Sequence, residues 1–473
     1  MGKEGFEGWQ EDISILLDRY NRLREGAASG SLTEDSFERI IDHYDDLDDL
    51  KSAIEAADTG IEQHPYSASL MVKKADLLIA VRKYQEALRW LDRAEILDSN
   101  DIDIYILRTD AYLAMDQQEK AVHLLSDAIE RFTGEDRLDL LFELADVYDD
   151  YEEFDKIFDC LRMILETDPA NEEALYKICF WTDFTGRNEE GIELHKWIID
   201  QQPYNELAWF NLAAAYQGLK LYEKAIDAYK YAIVINEKFD YAYRNMADAC
   251  IRLRQYKDAI EALEKVVELA RPEDVIYEAI GHCHERLGNH AQARFYYRKA
   301  SHLNPEDAKL SHKIAVTYLR EKNWLQAVKY LESALRSSRR NPEFNMAMGE
   351  AKLQLGQHKE AISHFSQAVA GRPRNLTSRE ALIRCLYASG HFQEADRQCR
   401  IAMKTLGEKT VLLFYRVLLL FAMDRENEAL LQLEAALERS PRFPKRVLDL
   451  QPDLRRRPKV AALIDRHKPP RKK

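Results

Sequence analysis

Between Glu206 and Glu273 two successive windows of 34 residues carry one apolar code. Trp209, Leu212, Ala213, Tyr216, Ala225, Tyr229 and Ala232 in the first window are answered by Tyr243, Met246, Ala247, Cys250, Ala259, Leu263 and Val266 in the second, each displaced by 34. In both windows the first four positions fall on one face of a helix and the last three on one face of a second helix. Neither pair can bury its apolar stripe alone, so the windows must stack and complete one another's core.

The small residue of the second helix lets two helices approach closely, and it carries the period along the chain. It recurs at Ala53, Ala87, Ala121, Ala225, Ala259, Ala293, Ala327, Ala361, Ala395 and Ala429, with Ile157 and Gly191 in the same phase. Two extra residues fall between Ala121 and Ile157, placed near Gly134. Pro65, Pro169, Pro203, Pro305, Pro373 and Pro441 keep the phase and close second helices, because proline cannot continue one. Twelve windows follow: 34–67, 68–101, 102–137, 138–171, 172–205, 206–239, 240–273, 274–307, 308–341, 342–375, 376–409 and 410–443. A capping helix and loop precede them in 1–33, and capping helices with a basic tail follow in 444–473. With 410 of the 473 residues in windows, no room is left for a separate catalytic domain, and the chain reads as a non-enzyme.

This code resembles the tetratricopeptide repeat, whose pattern sets Trp, Leu, Gly and Tyr on the first helix and Ala, Phe, Ala and a closing Pro on the second. Here Gly is mostly replaced, as at Ala213 and Ala247, and kept at Gly281 and Gly349. The resemblance is to a long all-repeat array of bacterial type without a catalytic domain. It implies an all-α, right-handed superhelical solenoid of about twelve helix-turn-helix repeats with capping helices.

Six cysteines are scattered singly (Cys160, Cys179, Cys250, Cys283, Cys385 and Cys399); Cys179, Cys250 and Cys399 fall on core phases with Cys283 and Cys385 beside them, and the set reads as small hydrophobes of a reducing compartment. Met1–Trp9 has no apolar segment of a secretory leader, and the longest apolar run, Val411–Met423, is interrupted by Arg416 and too short for a bilayer. A cytoplasmic protein with no membrane contact is predicted. The net charge of −14 argues against a nucleic-acid groove.

Taken in order, a helix over Glu11–Arg24 is broken by Gly26–Ser31, and Thr33 is placed to cap the first repeat helix. Gly186, Gly288, Gly356 and Gly390 share the phase of the turn between helices, where a left-handed residue is needed. Two residues later Tyr84, Phe154, Tyr222, Tyr256, His290, Trp324, His358 and Phe392 read as packing against the turn. His282, Cys283 and His284 are about 100° apart around a helix, so they cannot converge on one metal ion. No cofactor or metal is implied.

The resemblance directs attention to first-helix residues outside the core code, which in this family line a concave groove. The ninth residue of successive windows gives an acidic ladder, Asp42, Asp76, Asp110 and Asp146, with Asp248 further on. The thirteenth gives Arg252, Arg286 and Arg320. Between the ladders lie Phe142, Tyr176, Phe180, Phe184 and Phe210, spare aromatics beside a filled core, and Asn211 and Asn245 share one further phase. Two family sub-types are not met. The clamp for a terminal carboxylate would need Lys and Asn where Tyr176 and Phe180, or Phe210 and Ala214, stand, and the asparagine ladder of glycosyltransferase-type arrays stops at two residues flanked by Lys177 and Ala279.

Near the end Phe414, Leu418 and Phe421 take groove phases, either covered by the C-terminal cap or forming a surface for self-association. The function expected is that of a protein-interaction scaffold or adaptor gripping an extended or helical peptide segment, with its basic end toward Asp42–Asp146 and its acidic end toward Arg252–Arg320. Two other classes stand beside it: an RNA-binding helical-repeat protein, and a non-catalytic regulatory subunit of an enzyme complex.

Overall fold

The computed structural model describes residues 12–25, 31–271 and 273–467. The readings for Met1–Trp9, for the break at residues 26–30 and for the tail lysines and arginine beyond residue 467 lie outside the described residues. Among the described residues all regular structure is helical, and the chain divides into two units, one ending at Glu237 and the other starting at Lys238.

The first unit contains α1 (Ile13–Arg24), α2 (Glu34–Asp46), α3 (Leu50–Gln63), α4 (Ala68–Ala80), α5 (Tyr84–Leu97), α6 (Asp103–Ala114), α7 (Gln118–Arg131), α8 (Glu135–Asp150), α9 (Phe154–Thr167), α10 (Glu172–Thr185), α11 (Asn188–Gln201), α12 (Glu206–Gly218) and α13 (Tyr222–Ile235). Even-numbered helices are the first of each window and odd-numbered ones the second. Each first helix packs on its own second helix and on the second helix of the window before, and first helices also touch one another, α2 on α4, α4 on α6 and α10 on α12. Leu16 and Tyr20 of α1 are buried at the start of the stack. Thr33 does cap α2, its hydroxyl accepting from the Ser36 amide at 3.2 Å.

The second unit contains α14 (Asp240–Arg252), α15 (Tyr256–Leu269), α16 (Asp274–Arg286), α17 (His290–Leu303), α18 (Ala308–Arg320), α19 (Trp324–Ser337), α20 (Pro342–Gln354), α21 (His358–Gly371), α22 (Leu376–Ala388), α23 (Phe392–Leu406), α24 (Thr410–Ala422) and α25 (Glu426–Arg439). The chain then makes α26 (Lys445–Leu448), a 3₁₀ turn over Pro452–Arg456 and α27 (Pro458–Arg466).

The period has two physical anchors. The ten alanines of the second-helix phase are all 0% exposed, because a methyl group is what the tight crossing of two helices admits. Where the first helix carries Gly349, a Cβ would stand 2.7 Å from the Phe365 ring, so the aromatic of the second helix takes the space that Ala occupies elsewhere. The second anchor is the turn. The residue that ends each first helix is left-handed in every window, at Gly186, Gly288, Gly356 and Gly390, and equally at Asp48, Arg82, Asp116, Glu152, Lys220, Arg254, Lys322 and Asp424, with φ between 58° and 80°.

One expected boundary is corrected, and the residues expected at the turn gain a place in the helices. The two extra residues near Gly134 lengthen the following first helix, so α8 starts at Glu135 and the boundary expected at Leu138 falls inside it. The aromatic and histidine residues assigned to turn packing are the first residues of second helices, as Tyr84 is of α5 and Trp324 of α19.

Candidate binding faces

In the first unit, the face built by the first helices is an acidic wall. Asp42, Asp76, Asp110 and Asp146 are exposed on α2, α4, α6 and α8. The carboxyl pKa is raised above its ordinary value at Asp76, Asp110 and Asp146. Asp76 is raised by loss of water between the helices and by Asp45, Asp110 by loss of water and by Asp76, and Asp146 chiefly by loss of water. Glu143, half-buried on α8, is pushed up to about 7 by desolvation and then by the charges of Asp110, Asp146 and Asp150. Asp110 and Glu143 ionise against the charges of neighbouring carboxylates, and few cations compensate the negative potential of the wall. Lys73 pairs with Asp42, and Lys177 lies 2.8 Å from Glu173 and 4.0 Å from Asp146.

Beside the wall, α10 presents aromatic surface. Tyr176 is 63% exposed, Phe180 59% and Phe184 55%. Phe180 and Phe184 stack with ring centres 5.6 Å apart, one helical turn from each other. Trp181 meets both edge-on at 5.0 and 5.5 Å, and Phe154 at the start of α9 stacks on Trp181 at 5.4 Å. The four rings brace each other, so the exposed ones are held in place and lose little entropy when covered. Phe142 is half-buried, with the Lys177 ammonium 4.9 Å over its ring. Phe210 is half-buried with its ring 5.6 Å from Tyr229, which makes it part of the packing between α12 and α13 more than a free anchor.

Asn211 is not a groove residue. It is 3% exposed, and its Nδ2 donates to the Leu175 carbonyl at 2.7 Å, tying α12 to α10. Residues with roles in the face that the ninth-position reading passed over are Glu143, Lys177, Trp181 and Phe154. For Glu143 a signal existed: Asp139, Glu143, Asp146 and Asp150 are spaced four, three and four, a single acidic stripe along α8.

In the second unit Arg252, Arg286 and Arg320 are exposed at the ends of α14, α16 and α18, and each has a partner. Arg252 lies 3.5 Å from Asp248, Arg286 donates from Nε to the Tyr256 hydroxyl at 3.1 Å, and Arg320 lies 3.5 Å from Glu285. The two ion pairs are long and both guanidinium groups are more than half exposed, so they are held weakly. Arg320 borders a concavity of about 580 Å³ shared with His312, Leu319, Met346 and Glu350. Asn245 is half-buried on α14. His284 stacks on Tyr296 at 5.5 Å and Cys283 is fully buried, so this run is packing. Phe414, Leu418 and Phe421 are 0%, 0% and 4% exposed under the C-terminal segment, so they are closed to self-association in this structure.

Two stacks of helical hairpins, with a left-handed turn in every window and a buried alanine at the crossing in ten of the twelve, define a helical-repeat protein. No described helix is long and apolar enough to cross a membrane. The chain belongs to the tetratricopeptide-repeat proteins: models of that repeat match residues 39–102 and 352–401, and the model for the tetratricopeptide repeat protein 21 C-terminal ARM domain matches residues 189–346. Among solved structures it is similar to the C-terminal part of a repeat-containing protein from Cytophaga hutchinsonii, with 16% identity, a TM-score of 0.45, and coverage of 51% of this chain and 99% of that one. Similarity to the APC/C hetero-tetramer Cut9–Hcn1 covers 89% of this chain and 99% of that one, at 12% identity and a TM-score of 0.35. Similarity to YrrB, described as having an unusual peptide-binding site, covers 40% and 96%, at 16% identity and a TM-score of 0.35. Proteins of this family generally mediate protein–protein interaction and are typically non-catalytic.

Proposed function

We propose that this protein is a scaffold whose first unit grips an extended or helical segment of another protein, with basic side chains against Asp76, Asp110, Glu143 and Asp146 and an apolar anchor on Tyr176, Phe180 and Phe184. The observation that carries this reading is the joining of two features on one face. Aromatic rings more than half exposed and braced by Trp181 and Phe154 stand on α10, whose Lys177 comes to 4.0 Å from Asp146 of the carboxylate wall. The rings supply most of the affinity and the wall selects charge and direction. An acidic wall repels a phosphate backbone, which favours a protein partner over RNA. In the second unit Arg252, Arg286 and Arg320 form a separate contact for acidic side chains, since the ion pairs of Arg252 and Arg320 are long and Arg286 donates to a neutral hydroxyl.

The test is binding of labelled peptides that combine Lys or Arg with an aromatic residue, measured by anisotropy at several salt concentrations. The triple substitution Tyr176→Ala, Phe180→Ala, Phe184→Ala should weaken binding at least tenfold with helicity unchanged. Asp76→Lys with Asp110→Lys should remove the salt dependence. Equal affinity in all three proteins would refute the site, and tight binding of a polyanion such as single-stranded RNA would refute the class.

A further inference from the structure

The C-terminal segment lies on a face that elsewhere in the array is open. Phe414, Leu418 and Phe421 occupy the fifth, ninth and twelfth positions of their window, and the ninth position is exposed at Asp42, Asp76, Asp110, Asp146 and Phe180. Here the three side chains are buried in one cluster with Val447, Leu454 and Val460. Phe443 brings its ring to 4.5 Å from that of Phe414, and the Arg457 guanidinium sits 4.8 Å over Phe421. Arg446 reaches back to the preceding window, donating to Glu380 Oε2 at 2.6 Å. Residues 443–457 therefore cover the face of α22 and α24 as a bound peptide would, with two arginines and a few aliphatic side chains.

That fit is incomplete. Glu380 is 4% exposed, yet Arg446 satisfies only one of its oxygens, and Oε1 has no hydrogen-bond partner. Tyr415 on the adjacent helix is 0% exposed and its hydroxyl also has none. Both groups belong to the covered face. A buried carboxylate oxygen and a buried hydroxyl left unpaired have lost their water with nothing in exchange, and a planar guanidinium aimed at both oxygens would satisfy the carboxylate. The covering segment is also weakly built. Its helix α26 has 4 residues and its 3₁₀ turn 5, too short to persist without packing.

We infer that residues 443–457 are a removable ligand in cis, and that the face of α22 and α24 receives a segment of a partner protein with the same chemistry, an arginine flanked by aliphatic residues, whose guanidinium engages both oxygens of Glu380. The segment is held by its tether, which supplies an effective concentration of order millimolar. A partner of micromolar affinity displaces it only once the segment is loosened.

The probe is a fluorescein-labelled peptide with the sequence of residues 442–460, titrated into the full chain and into the full chain carrying Arg446→Glu and Leu454→Asp. The unchanged chain should bind it at least tenfold more weakly than the substituted one, and adding Glu380→Gln to the substituted chain should abolish binding. Absence of binding to a substituted chain that keeps native helicity would overturn the inference. Dimerisation of that chain by exchange of its own segment would overturn it too, by making a second copy the occupant. Hydrogen exchange on the unchanged chain gives an independent readout that needs no folded variant. Amides of residues 445–466 should exchange at least a hundredfold faster than those of α22 and α24. Equal protection would show a permanent cap and sink the proposal.

Discussion

Asn211 donates from its buried amide to the carbonyl of Leu175 at 2.7 Å, joining the first helices of two successive windows. The contact is a side-chain clamp between α10 and α12, on the helix that bears the aromatic rings of the candidate site. Replacing Asn211 with Leu removes the donor and leaves a buried carbonyl with one bond fewer. We expect a loss of about 1–3 kcal/mol in urea unfolding and unchanged affinity for a basic-aromatic peptide. A large loss of affinity with unchanged stability would return Asn211 to the groove.

His195 on α11 is 0% exposed, and neither ring nitrogen has a hydrogen-bond partner. Burial lowers its pKa from 6.5 to about 3, so the folded chain holds the ring neutral. Between those values the unfolded chain binds a proton that the folded chain does not. The stabilising contribution is complete above pH 6.5 and declines as the pH falls toward 3, by up to about 1.4 kcal/mol per pH unit. Stability measured at pH 7.5 and 5.5 should drop less in His195→Leu than in the unchanged chain. An identical drop would mean that the ring is solvated or partnered in solution.

Glu143 has the opposite sign. Its folded pKa of about 7 lies above the ordinary 4.5, so the folded chain retains a proton between these values and the residue weighs against folding as the pH rises. Glu143→Gln should stabilise the chain at pH 8 by about 1 kcal/mol after allowing for solvent screening. It should also flatten the pH dependence of peptide affinity, since lowering the pH through 7 neutralises part of the wall and weakens attraction for a basic segment. Peptide titrations at pH 6 and 8 decide this, and identical pH profiles in both proteins would exclude Glu143 from the wall.

Lys322 and Gly356 hold the same turn in successive windows, with φ of 60° and 76°. A side chain in the left-handed region is strained by about 1–2 kcal/mol, partly offset by the extra freedom glycine loses on folding. Lys322→Gly is expected to gain about 0.5 kcal/mol and Gly356→Ala to lose about 1 kcal/mol. Thermal melts of the two variants should move in opposite directions. Movement in the same direction would contradict the turn geometry.

These cases mark what a one-dimensional pattern carries. The period of 34, the methyl-sized crossing at Ala225 and its equivalents, and the prolines after second helices were all legible, because repeats stack by contacts between near neighbours in sequence. The left-handed turn was legible only where it is glycine. At Arg82 or Lys322 the neighbouring helices impose the same backbone on a residue that does not advertise it.

The sequence by itself determined the architecture of the repeats and the sign of charge along each ladder, since both depend on spacing along a helix. The tertiary structure decided which of those side chains remain available. Phe180 and Phe184 stay exposed because Trp181 and Phe154 fill the space behind them. Asn211 turns inward because a carbonyl of the neighbouring helix needs a donor. Phe414 and Phe421 disappear because a segment ending the described chain folds back over them, bringing Arg446 to Glu380 across 66 residues. Helical phase fixes the direction in which a side chain leaves its own helix, whereas burial depends on what the rest of the chain places opposite.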